Sequence, residues 1–351
     1  MTYWITSLIS SVRDENTARA LFIMSQNTAK SASELGFKTI SYNLFQDLAY
    51  DQQRRTRIIK SLLDPVQPGD TVVIQYPLWI TNANFALEFF DYLKDKRKAK
   101  MVGLLHDVNP YMRNEELDVD ENFDLKQLRK FDMLLVANDK IGGRLKSDKV
   151  DVPMVSMHIW DYHYNGPIRD KAFKKELYFI GGRQIKELDY TASTPLTVVG
   201  RTPRRDDLDA IEALTMLPVI PSNDLVNWFD GGFGLVESQN ILEKSNFNFQ
   251  EYNKWNNPTK LSLYIASGLP VVVSHHSPHA EWIKEKGIGI VLDNLNEIDD
   301  VFATMTEEDY KKMLKAIEPW QRAVTSGLFI KRALLQIERV LELGFDDVTV
   351  K

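Results

Sequence analysis

Lys260 and Arg183 are the side chains whose type and setting point most directly to chemistry, and that chemistry is phosphate binding. Lys260 lies in the run from Asn257 to Ser274, which reads as a turn, a short helix, a Gly268-Leu269-Pro270 corner and a β-branched strand. Gly268 can adopt the left-handed conformation that ends a helix, and Pro270 prevents its continuation. The start of such a helix offers unpaired amide hydrogens and the positive end of the helix dipole, so an anion fits there beside the Lys260 ammonium. Arg183 follows the strand-like Tyr178-Phe179-Ile180 and the flexible pair Gly181-Gly182. A guanidinium forms two hydrogen bonds to a phosphate and stays charged. Together the two cations could neutralise a departing diphosphate without a divalent metal; a surface ion pair is the other reading of Arg183.

In the first half of the chain the catalytic candidates are His106 and Asp107, directly after the strand-like Met101 to Leu105. A histidine can bind a hydroxyl and a carboxylate can accept its proton. The alternative is a local turn in which Asp107 satisfies backbone amides ahead of Pro110. Thr17 either caps the helix that follows it or hydrogen-bonds a ligand. Glu237, at the end of the Gly231 to Val236 run, could accept from ribose or sugar hydroxyls or close a surface turn. Tyr252 and Asn253 suit either uridine stacking or covering of the domain edge. His275, His276 and His279 have no acidic or cysteine partners at a recognised spacing, so no metal site is expected.

These residues need a scaffold of alternating strands and helices. Apolar runs at Tyr3 to Leu8, Lys38 to Tyr42, Thr71 to Gln75, Lys100 to Leu105 and Met133 to Ala137 alternate with helical stretches at Thr17 to Leu35 and Arg54 to Leu63. That order predicts a parallel, doubly wound α/β sheet. A second block opens at Glu176 to Ile180 and continues through Leu196 to Gly200, Gly234 to Glu237, Val271 to Ser274 and Gly289 to Leu292. Val152 to Pro167 carries turn residues with little periodicity and reads as a linker. The expected division is residues 1–160, one Rossmann-like domain, and 168–325, a second. Residues 326–351 form a C-terminal helix able to cross back. Two such domains would place their switch-point crevices on opposite walls of one cleft.

Composition narrows the function further. With 351 residues, the chain exceeds the size at which a single core usually stops growing. A formal net charge of −6 lacks the basic footprint of nonspecific nucleic-acid binding. The absence of cysteine removes disulfides, thiolate metal sites and thiol nucleophiles. No apolar run approaches the roughly 20 residues of a membrane helix, and no signal-peptide pattern opens the chain. A cytoplasmic enzyme is the expectation.

The Lys260 to Pro270 run, with Gly231-Gly232-Phe233-Gly234-Leu235-Val236-Glu237 upstream, resembles the donor-sugar half of GT-B glycosyltransferases. With Ile5-Thr6-Ser7, Asn16-Thr17-Ala18, Gln75-Tyr76-Pro77, His106 to Pro110 and Trp160-Asp161, most of the chain is similar to a narrower bacterial group. This group comprises the Gtf-three type glucosyltransferases of serine-rich adhesin glycosylation, often grouped with β-1,6-galactofuranosyltransferases. The resemblance implies a GT-B fold and transfer of a hexose, with glucose favoured, from a UDP-sugar to a glycan acceptor on a protein, lipid or polysaccharide precursor. It assigns Thr17, Arg183, Tyr252 and Lys260 to donor binding, with Lys260 and Arg183 on the phosphates, and it implies a homo-oligomer. The UDP-sugar is a substrate, so no cofactor is expected. Galactofuranosyl transfer, a nucleotide-sugar epimerase or synthetase, and a non-catalytic transferase partner are the alternatives. In one departure from broader GT-B families, Leu263 stands where many carry the second glutamate of a paired motif.

Overall fold

The computed structural model describes residues 1–9, 20–43, 51–78, 83–113, 117–181, 190–200, 211–236, 249–345 and 347–350. It divides into two compact units. One comprises residues 1–110, 116–160 and 327–351, the other 111–115 and 161–326.

In the first unit the short apolar runs become strands because parallel strands flanked by helices are covered on both faces. They are β1 (Tyr3–Ile9), β2 (Lys38–Asn43), β3 (Thr71–Tyr76), β4 (Lys100–Leu105), β5 (Met133–Val136) and β6 (Met154–Ser156), all parallel in the order β2-β1-β3-β4-β5-β6. β3 is buried along its whole length. Ile5, Val73, Val102, Leu104, Met133 and Leu135 form the core with Trp160 and with Ile330, Ala333, Leu334 and Ile337 of the helix Leu328–Ile337. Each fully buried Val, Leu, Ile or Met among them contributes about 1.5–3 kcal/mol relative to exposure. The spacing of those four helix residues sets one apolar face against the sheet.

The second unit repeats the plan. Strands β7 (Ala172–Ile180), β8 (Leu196–Val199), β9 (Leu214–Leu217), β10 (Gly231–Leu235), β11 (Val271–Ser274) and β12 (Gly289–Leu292) are parallel in the order β12-β11-β10-β7-β8-β9. Leu177, Phe179, Phe233, Leu235 and Val272 pack with Ile298, Phe302 and Tyr310. The helix Glu307–Thr325 starts on a capping box, in which Thr306 and Asp309 satisfy each other's backbone amides. Gly327 then ends the helical run with a left-handed backbone, φ 78°.

Strand order reverses between β1 and β3 in the first sheet and between β7 and β10 in the second. Beyond the carboxyl ends of such strand pairs lie the ligand crevices of doubly wound sheets. Three details depart from the sequence reading. β6 lies inside the segment read as a linker, and three residues are too few to show a period. β9 escaped notice because its four residues are only partly covered. β10 begins at Gly231 rather than Gly234, glycine being a weak strand former whose place here is fixed by neighbours. Among the described residues no helix is long and apolar enough to cross a membrane.

Candidate functional site

At the switch point of the second unit, β7 ends at Ile180, directly ahead of Gly181-Gly182-Arg183, and β10 ends at Leu235, ahead of Glu237. Arg183 and Glu237 themselves, like Thr17 in the first unit, lie outside the described residues. The helix Thr259–Ala266 connects this edge to β11. Pro258 caps its start in an extended conformation and Lys260 occupies the first turn. The Lys260 Nζ lies 5.0 Å from the centroid of the Phe179 ring on β7, within cation–π range. The charge is thus held over the penultimate residue of β7.

One helical turn beyond Lys260, on the same face, Tyr264 is fully buried. Its hydroxyl donates to the Tyr178 carbonyl at 2.9 Å and accepts from the Ile180 amide at 3.2 Å. Burial pushes this phenol far above its ordinary pKa, so it stays a donor. One side chain therefore ties the helix that carries Lys260 to the strand end that leads into Arg183.

The two ends of this helix are fixed separately. At its entrance the buried His279 and Asn257 are hydrogen-bonded through Nε2 and Oδ1, which pins the residue before Pro258. At its exit the Gly268 amide bonds the Ile265 carbonyl at 2.9 Å and the Leu269 amide bonds the Tyr264 carbonyl at 2.9 Å. With φ 71° at Gly268 this is a Schellman cap. Gln321 adds a bond from Nε2 to the Ala266 carbonyl at 3.1 Å.

At the carboxyl edge of the first sheet lies a buried polar cluster. Gln75 on β3 donates through Nε2 to the carbonyls of Thr6 at 2.6 Å and Ser25 at 3.1 Å, and its Oε1 is 2.7 Å from His106 Nε2. The Gln75 amide donates to Thr6 Oγ1 at 2.8 Å. His106 stacks on Trp160, with centroids 4.8 Å apart, and is 6% exposed. Burial lowers its pKa to about 3, so the ring is neutral at physiological pH. Asp107, the next residue, is only partly buried.

Of the candidates drawn from sequence, Lys260 is placed at the helix start beside the strand edge, and His106 and Asp107 directly follow β4. Tyr252 is 1% exposed and offers no open ring face, whereas Asn253 is partly accessible. Leu263 is buried, 4% exposed, and packs in the interior. Tyr264 and Asn257 were not singled out, Gln75 entered only as a strand-end residue and His279 only in a histidine cluster not expected to bind metal. Only Tyr264 left a usable signal, since it stands one helical turn after Lys260. Among the described residues no group of three His, Asp or Glu side chains converges as a metal site.

Two family models match this architecture, the "Glucosyltransferase 3-like, N-terminal domain" over residues 2–159 and the corresponding C-terminal domain over 177–337. The chain is 26% identical to Glucosyltransferase 3 of Streptococcus gordonii, over 92% of this chain and 94% of that protein. It is 23% identical to the β-1,6-galactofuranosyltransferase WbbI of Escherichia coli K12, over 80% of this chain and 82% of that one. Among solved structures it is similar to a sucrose-phosphate synthase from Thermosynechococcus elongatus, with a TM-score of 0.62 at 10% identity, covering 97% of this chain and 100% of the other. That likeness carries the fold, which is GT-B.

Proposed function

Because the chain belongs to the glucosyltransferase 3-like family of glycosyltransferases, we propose that it moves a hexose, glucose by preference, from a UDP-sugar to a glycan acceptor. The acceptor class that fits best is a glycan already carried by a serine-rich surface protein. The observation that carries this reading is the linkage of the Lys260 helix to the end of β7 through Tyr264. It brings an ammonium and a helix N-terminus to a sheet switch point, where a diphosphate is favoured.

In the transfer, the bond between the anomeric carbon and the diphosphate oxygen breaks. Positive charge grows on the sugar and negative charge on the departing UDP. Lys260, Arg183 and the helix amides stabilise the departing charge, so the reaction proceeds without a divalent ion. Glu237, Asn253 and Thr17 bind donor hydroxyls, and the buried Tyr252 packs behind Asn253. On the acceptor side Asp107 takes the proton of the attacking hydroxyl, and His106 orients a sugar hydroxyl.

Galactofuranosyl transfer is the second reading, supported by the match to the E. coli galactofuranosyltransferase. The test is incubation of the purified chain with radiolabelled UDP-glucose or UDP-galactofuranose and a glycan-bearing acceptor in excess chelator. Label appearing in the acceptor is the expected result, and the better donor decides between the two sugars. Label remaining in an isomerised UDP-sugar, or transfer only after a divalent ion is restored, would overturn the proposal.

A further inference from the structure

The cluster around Gln75 determines more than the packing of the first sheet. Both amide hydrogens of Gln75 Nε2 are directed at carbonyl oxygens, those of Thr6 and Ser25. Exchanging the amide oxygen and nitrogen would set an acceptor against two acceptors, so the orientation of this side chain is decided by its partners. Oε1 therefore faces His106 and must accept. His106 Nε2 is then the donor and carries the hydrogen, which leaves Nδ1 with a lone pair. That Nδ1 atom is buried and has no hydrogen-bond partner among the described residues. Buried polar atoms in folded proteins are nearly always partnered, so an acceptor left open at the carboxyl edge of a doubly wound sheet points to a ligand donor.

We propose that Gln75 is a positioning residue, which holds His106 as the Nε2–H tautomer so that Nδ1 accepts a hydrogen bond from a sugar hydroxyl of the substrate. The identity of the hydroxyl rests on the transferase reading; the tautomer does not. Trp160 supports the arrangement by stacking on the ring, with centroids 4.8 Å apart and planes 14° from parallel. Among the described residues, the groups set against the imidazole, Gln75 of β3 and Trp160, are uncharged, and Asp107 is the charged residue next to it in the chain. Burial alone lowers the His106 pKa, consistent with a ring that stays neutral while it accepts.

The first measurement uses the full wild-type chain, uniformly labelled with ¹⁵N. His106 is assigned by loss of its signals in His106→Asn. The expected long-range ¹H–¹⁵N pattern is that of the Nε2–H tautomer, unchanged from about pH 8 to about pH 5. An Nδ1–H tautomer, or titration of His106 within that range, would overturn the proposal.

The second measurement is the pH profile of transfer from UDP-glucose by Gln75→Glu. A carboxylate beside Nε2–H raises the pKa of the ring, and protonation at Nδ1 destroys the acceptor. The variant should lose activity as pH falls from about 8 to about 5, by about tenfold or more, in a limb the wild type lacks. A uniform loss with no new limb in a folded variant would reduce Gln75 to a packing role and overturn the proposal. The two readings fail separately. If the wild type showed the Nε2–H tautomer but transferred no sugar from UDP-glucose or UDP-galactofuranose, the transferase proposal would fall and the positioning of His106 by Gln75 would stand.

Discussion

Gly234 lies directly beneath the ring of Tyr264, so close that a Cβ at position 234 would overlap the ring carbons. The glycine of this motif therefore makes room for the side chain that joins the Lys260 helix to β7. Gly234→Ala should destabilise the chain by about 1–3 kcal/mol, the cost of overpacking a closed core. Urea unfolding followed by tryptophan fluorescence measures it, and a change within about 0.5 kcal/mol would mean that the ring yields freely.

Tyr264→Phe keeps the ring and removes the hydroxyl. It leaves the Ile180 amide without its acceptor and takes the hydroxyl donor away from the Tyr178 carbonyl. The expected loss is about 1–3 kcal/mol of stability. UDP affinity should also fall, because the end of β7 is no longer tied to the helix. Comparison of chemical denaturation with UDP titration separates the two effects, and wild-type UDP affinity in this variant would remove Tyr264 from the donor-site scaffold.

Burial holds His106 at a pKa of about 3 in the folded chain, below the ordinary histidine value to which it returns on unfolding. Between those two values the unfolded chain binds the extra proton. The contribution is thus present above about pH 6.5 and is lost as pH falls toward about 3. In His106→Asn the fall in unfolding free energy over that window should be shallower, by up to about 1.4 kcal/mol per pH unit. Denaturant melts at several acid pH values test it; parallel curves for the two proteins would show that His106 does not take up this proton.

The alternating strand and helix pattern was legible because parallel strands covered on both faces are written as β-branched runs, such as Thr71 to Gln75 and Val271 to Ser274. Gly268 and Pro270 declared the end of their helix for the same local reason. The glycines around β10 marked the place without stating a cause, which at Gly234 is the Tyr264 ring. The roles of Gln75, Asn257 and His279 were not legible for a different reason. Their partners are distant in sequence, as with the bond from Gln75 to Thr6 across 69 positions, and no local period records them.

Asp107→Asn separates the acceptor side from the donor side. The substitution retains size and shape but cannot take a proton, so transfer should fall by about a hundredfold or more while UDP affinity is unchanged. Steady-state transfer assays and UDP titration on one preparation check both halves. Lost UDP affinity would move Asp107 to the donor site, and unaltered transfer would remove it from the chemistry.

The central claim, that cationic side chains rather than a metal hold the donor diphosphate, is tested most directly by calorimetric titration of UDP into wild type and Lys260→Ala in excess chelator. The wild type should bind UDP, and the variant should bind about ten- to a hundredfold more weakly with an unchanged melting temperature, the value of one charge-assisted contact. Equal affinities in the two proteins, or wild-type binding that appears only when a divalent ion is added, would contradict the account.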